Sequence, residues 1–164
     1  MGLEKQPIET SNDTSVSVRL DPAGPEKVRI LIVSEDETIA KQLKVTFSEA
    51  GFISEYANSI TAGCDSARSG RFQVVVSTPI LADGSWKRLV DIATHYDRAF
   101  VVVLVASTFD FQEWTEALEY GAFDVLDALH ELPMAADSAK RAAWAAYLKG
   151  ARSRPKMTIP PRAA

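Results

Sequence analysis

The sequence has a single cysteine in 164 residues, Cys64, so no disulfide can close within the chain. Such sparing use suits a reducing compartment, and a cytoplasmic location is expected. Histidine is scarce as well: His95 and His130 stand well apart, with no serine nucleophile motif of the G-x-S-x-G kind to serve. No apolar run approaches the roughly 20 residues a membrane-spanning helix needs. The first 26 residues lack the apolar stretch of a secretory signal, and Met-Gly followed by Pro7 and Ile8 is a poor acylation signal. No membrane partner is therefore expected. Positive charge is also short, with 18 Lys and Arg against 22 Asp and Glu, a net charge of -4. Nucleic acid is not an expected partner, since it demands a basic surface. Arg152, Arg154, Lys156 and Arg162 near the end are too few to reverse that balance.

What is present suits one globular domain: 46% hydrophobic and 24% charged residues. Residues 1–26 are polar and rich in Ser, Thr, Asp, Glu and Pro, and are expected to be a disordered tail. Residues 151–164 are basic and Pro-rich and read as a second loose tail. The domain is expected over 27–150.

Within it, β-branched runs alternate with amphipathic stretches. VRILIV (28–33), FQVVVS (72–77) and FVVVLVA (100–106) read as strands buried on both faces, FISEYA (52–57) as an edge strand and FDVLDA (123–128) as a fifth strand. Between them lie helices with apolar stripes: Ile39, Leu43 and Phe47; Ile60, Cys64 and Ala67; Trp86, Leu89, Val90 and Ala93; Phe111, Trp114 and Leu118. Asp36 or Ser34 is the candidate cap of the first helix, and Ser85 of the third. Gly51, Gly70 and Gly121 fall where helices end. Pro133 opens a last helix expected to stop near Leu148, with Gly150 after it. Strict strand–helix alternation implies a flavodoxin-like α/β fold: a (βα)5 doubly wound parallel sheet in the order 2-1-3-4-5. Ligands of such sheets sit beyond the carboxyl ends of the strands.

Those ends are poor in chemistry. Ser34-Glu35-Asp36-Glu37 follows the first strand where a glycine-rich phosphate cradle would belong, and its acids would repel phosphate. Capping is the plainer role for Asp36; weak Mg²⁺ binding by Glu35 and Asp36 is the alternative. Ser77 and Thr78 follow the third strand with no base to activate them. No Lys or Arg stands at the fourth or fifth strand end to steady an anion. Cys64 reads as core. Trp86 and Trp114 read as core, while Trp144, Tyr147 and Leu148 exceed what one buried helix face needs, which leaves a partner-facing surface open.

Three stretches carry a resemblance. RILIVSEDETIAKQLKVTFSEAGF is similar to the first strand, acid pocket and first helix of bacterial response-regulator receiver domains. RFQVVVSTPILADG resembles their third strand and phosphoacceptor loop, and EALEYGAFDVL their fourth helix and fifth strand. The resemblance spans about residues 27–150. It implies a Mg²⁺-binding acid pair at Ser34 and Glu35, of which one acid is kept. It places the phosphoacceptor at Thr78, or at Ser77 on the alternative alignment. The switch hydroxyl falls on Ala106, the switch aromatic on Val125 and the lysine at the end of the fifth strand on Ala128. The loop from Thr78 to Asp83 is about two residues short. Metal-assisted attack by a carboxylate needs the missing groups. The expectation is a degenerate pseudo-receiver: no enzyme, no cofactor, and a protein partner or self-association in two-component or phosphorelay-type signalling. Trp114, Trp144 and Tyr147 are the candidate interface. The alternatives are a receiver controlled by modification of Thr78 or Ser77, and a small flavodoxin-like ligand-binding protein.

Overall fold

The structure, a computed structural model, describes residues 27–153. The expectations for residues 1–26 and for Arg154, Lys156 and Arg162 lie outside the described residues. The main sheet is formed by β1 (Arg29–Val33), β2 (Ile53–Ala57), β3 (Val74–Ser77), β6 (Val101–Ala106) and β7 (Ala122–Asp127). All pairings in it are parallel, in the order β2-β1-β3-β6-β7. That is the expected 2-1-3-4-5 sheet. A small antiparallel hairpin, β4 (Ile80–Leu81) and β5 (Gly84–Ser85), stands apart from it and has no counterpart in the sequence reading.

Alternation along the buried strands sends side chains to two cores. Leu31, Val33, Val75, Leu104 and Val125 face α2 (Ile60–Ala67), α3 (Lys87–His95) and α4 (Phe111–Tyr120). Ile30, Ile32, Val74, Val76, Val103 and Leu126 face α1 (Glu37–Glu49) and α5 (Ala135–Ser153). Each fully buried Val, Ile or Leu contributes about 1.5–3 kcal/mol of transfer free energy. Asp36 caps α1, taking the N–H groups of Thr38 and Ile39 at 2.9 and 3.2 Å. Gly51 and Gly70 follow α1 and α2 with φ of +86° and +77°, the left-handed geometry a side chain resists.

Three expectations need correction. Ser85 does not cap α3: Trp86 holds that position, although the Ser85 hydroxyl accepts the N–H of Lys87 at 3.0 Å. Gly150 does not end α5, which continues to Ser153, so residues 151–153 belong to the helix and not to a tail. A Cβ at Gly150 would meet Ala99 Cβ at 3.3 Å, so close packing accounts for this glycine. The core stripe assigned to α4 is also misplaced: Ala117 is its one fully buried residue, Leu118 is partly buried, and Phe111 and Trp114 are exposed. The first turn of α4 instead borders a cleft at the ends of β6 and β7. Among the described residues no helix is long and apolar enough to cross a membrane.

Candidate functional site

The carboxyl ends of β1 and β3 lie side by side, with Val33 paired to Ser77. The chain just past them is held in register by the Thr78 N–H donating to Val33 O at 3.1 Å. Ser34 and Ser77 are each 1% exposed. Thr78 Oγ1 lies 3.4 Å from Ser34 Oγ, so the structure brings these two residues together. Ser34 Oγ accepts the Asp36 N–H at 3.0 Å, and Ser34 O accepts the Tyr56 hydroxyl at 2.8 Å. Burial, then the negative charges of Glu37, Asp36 and Glu35, push the Tyr56 phenol up, which keeps it a donor. Ser77 turns its hydroxyl onto Thr78 O at 2.7 Å. The centre of the mouth is thus three hydroxyls, Thr78 bonded to Ser34 and Ser77 to the Thr78 carbonyl.

The acids around it are tied to backbone donors. Glu35 Oε2 accepts the Ala82 N–H at 2.7 Å, which fastens the tip of the β4–β5 hairpin to the end of β1. Asp83 reaches from that tip to the start of α2, where its two oxygens accept the N–H groups of Ile60 and Thr61 at 2.8 Å each. Ser59 takes the Ala62 N–H of the same helix. The Thr61 side chain, and after it the Thr61 and Ile60 N–H groups, hold the Asp83 carboxyl down to about 2. Asp36 holds α1 through Oδ1. Sequence reading missed the roles of Glu35 and Asp83. Asp83-Gly84 signals only a turn, and a carboxylate that caps a helix 22 residues away leaves no local pattern.

Receiver domains are expected to hold Mg²⁺ at this mouth, and the residues present do not fit such an ion. Ser34 supplies a hydroxyl where a carboxylate would be needed, Glu35 holds Ala82, and Asp36 is directed at the α1 N-terminus. Neither Ser77 nor Thr78 brings charge. Among the described residues no three acidic, histidine or cysteine side chains gather as a metal site. The geometry therefore gives no support to a weak site at Glu35 and Asp36.

The second half of the mouth is the pair of ends of β6 and β7, where Ala106 is paired with Asp127. Ala106 and Val125 are buried, and the Ala128 N–H donates to Ala106 O at 3.0 Å. Asp127 accepts from the Leu129 N–H at 2.8 Å and lies 2.8 Å from His130 Nδ1. The His130 contact lowers the Asp127 carboxyl, and the Asp127 contact raises the His130 imidazole. The N–H of Asp127 donates to Glu131 Oε1 at 2.8 Å. Alongside these ends lies a cleft of about 250 Å³, walled by Phe109, Phe111 and Trp114.

The three aromatics expected to share one interface are not gathered. Trp114 borders this cleft, whereas Tyr147 borders a cavity of about 280 Å³ at the opposite ends of the strands, beside Phe72 and Ala99. Trp144 stacks edge-on against Tyr147, ring centres 5.9 Å apart, on the outer side of α5. The core face of α5 is built of Ala135, Ala139, Ala142, Ala143 and Ala146, which leaves the large residues outside.

Solved structures of similar shape are receiver domains. One is the signal receiver domain of an HD-domain protein from Pseudomonas fluorescens Pf-5, 18% identical, covering 78% of this chain and 95% of that one, with a TM-score of 0.69. The chain has the receiver fold. A Francisella response-regulator receiver domain is 16% identical over 71% of this chain and 96% of its own, with a TM-score of 0.65. A two-component response regulator from Clostridium difficile is 22% identical over 70% and 96%, with a TM-score of 0.60. No protein-family model and no curated protein sequence matches the chain. At these identities the likeness establishes the receiver fold, and the chemistry rests on the residues described above.

Proposed function

We propose that this receiver-fold domain is a pseudo-receiver of two-component-type signalling, acting in the cytoplasm through protein–protein contacts, without phosphorylation and without catalysis. The observation that carries this reading is the Ser34–Thr78 hydroxyl contact at 3.4 Å, at the point of the sheet mouth where an acyl phosphate would require a free carboxylate. A hydroxyl does not form an acyl phosphate. The flanking acids hold backbone N–H groups of Ala82, α1 and α2, and Ala128 offers no ammonium to steady a transferring phosphoryl group.

Modification of the hydroxyls is the second reading. Ser77 is buried with its hydroxyl donated to Thr78 O, and a kinase acting on the folded chain has no access to it. Thr78 is partly buried and remains the one candidate of the two. A flavin phosphate is disfavoured by Glu35, Asp36 and Glu37 at the same mouth.

The test is intact-mass measurement of the purified protein after incubation with acetyl phosphate and Mg²⁺. The expected mass is unchanged. A hydroxylamine-sensitive gain of one phosphoryl group refutes the pseudo-receiver reading. A hydroxylamine-stable gain at Thr78 after treatment with cell extract and ATP supports control by modification instead.

A further inference from the structure

We propose that the aromatic cleft at the ends of β6 and β7 receives the Pro160-Pro161-Arg162 segment of a second copy of this chain. The floor of the cleft is formed by Ala106 and Val125, whose small side chains leave its volume of about 250 Å³ open. Phe111, 78% exposed, and Trp114, 39% exposed, stand on one side with ring centres 5.9 Å apart and planes tilted by 33°. Exposing two large rings side by side has a free-energy cost that burial against a partner would remove.

Charge narrows the occupant. Asp110, Asp127 and Glu131 stand among the residues that line the cleft, and no Lys, Arg or His does. Asp127 is satisfied by Leu129 and His130. Asp110 spends one oxygen on the Glu113 N–H and Glu131 spends one on the Asp127 N–H; no described donor takes the second oxygen of either. Aromatic walls with acceptors at the rim suit an extended proline-rich segment carrying a cation. Consecutive prolines favour the polyproline II form, which docks into aromatic grooves at low entropic cost. A guanidinium can lie over an aromatic face and still pair with carboxylates.

The chain carries such a segment. Residues 154–164, RPKMTIPPRAA, hold Arg154, Lys156 and Arg162, three prolines and no acid. Reach decides whose segment it is. Helix α5 begins just past Glu131 and runs away from the cleft, its far end fixed where Lys149 Nζ donates to Phe100 O at 3.3 Å, before the first residue of β6. Its 19 residues span about 28 Å. The nine residues from 154 to 162 cover about 28 Å as polyproline II, which leaves no length for the turn back. The segment of a second copy has no such limit, and reciprocal exchange closes a two-fold dimer.

The inference rests on the interaction role proposed above and fails separately from it, because uptake of phosphate does not bear on association. The experiment is sedimentation velocity on the full chain from micromolar to near-millimolar concentration. A reversible dimer is expected. Arg162→Glu and Phe111→Ala should each weaken it by about tenfold or more, as loss of an anchor does. Phe111 is exposed, so unchanged circular dichroism and thermal melting should accompany its loss of association. Mixing the two variants should give a heterodimer tighter than either variant's own dimer, because one of its two sites pairs an intact cleft with an intact segment. A monomer at every concentration, a dimer indifferent to both substitutions, or variants that do not complement each other overturns the proposal. So does a monomer whose Trp fluorescence shifts with Arg162→Glu, since the segment would then sit on its own cleft.

Discussion

Gly63 offers a direct test of how the sheet mouth is built. It lies in α2 against Val33, the last residue of β1 and the neighbour of Ser34. A Cβ added at Gly63 would stand 2.8 Å from Val33 Cγ2 and 3.1 Å from Cγ1. Ordinary carbon contacts are about 3.5–4.0 Å, so the overlap is close to an ångström. Val33 is fully buried, β-branched and laddered to both Ala57 and Ser77, and has little room to give. Overpacking of this kind costs about 1–3 kcal/mol. The alanine gains about 1 kcal/mol of helix propensity. With Val33 fixed, the cost falls in the upper half of its range, and Gly63→Ala should lose about 1–2 kcal/mol net. Val33→Ala removes two methyls, about 1.6 kcal/mol of transfer free energy, and the cavity term raises its loss to about 2–3 kcal/mol. In the double variant the new methyl enters the vacated space. The pair should then lose about 1–2 kcal/mol in place of the additive 3–5, a coupling of about 2–3 kcal/mol. Urea denaturation of the four proteins at a common m-value measures this. A Gly63→Ala protein as stable as the parent, or strict additivity, would show that α2 does not press on β1 as described.

Two further predictions concern titration and reactivity. The Asp83 carboxyl is depressed from its ordinary 3.8 to about 2, so its contribution to stability is present above pH 3.8 and is lost as pH falls through about 2. Asp83→Asn should lower stability at neutral pH and converge on the parent near pH 2 in acid titrations followed by circular dichroism; parallel curves would refute the cap. Cys64 is 2% exposed and burial pushes its thiol up, so a chromogenic disulfide reagent should react only as the protein unfolds. Stoichiometric labelling within seconds in native buffer would contradict its core placement.

The sheet was legible because its signal is local and redundant. Ile30 to Val33, Val74 to Val76 and Val102 to Val105 are runs that have no stable place except a strand covered on both faces. The Asp36 cap and the glycine stops at Gly51 and Gly70 were legible for the same reason. Errors arose where size was taken for burial. Phe111 and Trp114 lie on the expected stripe, but they border an open cleft at the strand ends, while small Ala117 makes the contact with the core. In α5, by contrast, the excess of large residues over one buried face was legible: the alanines form the core face and Trp144 is outside. Periodicity gives the direction of a side chain around a helix. It does not say how far along the helix the sheet extends. Gly150 misled in the opposite sense: its lack of a side chain serves approach to Ala99, not termination.

At the mouth, the residue types were legible and their partners were not. Four acids, Glu35, Asp36, Glu37 and Asp83, suggest a negative pocket when read along the chain. In the fold, Glu35 binds the hairpin tip, Asp83 on that tip binds α2, and Asp36 binds α1. These contacts join β1, the hairpin, α1 and α2 into one clip around the Ser34–Thr78 pair. Asp83 commits both oxygens to the clip, while Glu35 and Asp36 commit one each, Oε2 and Oδ1. The acids therefore oppose the motion of this mouth while adding to its charge. On the proposed reading, a receiver fold without a chemical trigger has no need of a movable mouth, and its contacts with partners shift to surfaces that no acid clip restrains. Phe111 and Trp114, on a first turn held by a capping box at Asp110 and Glu113, form such a surface.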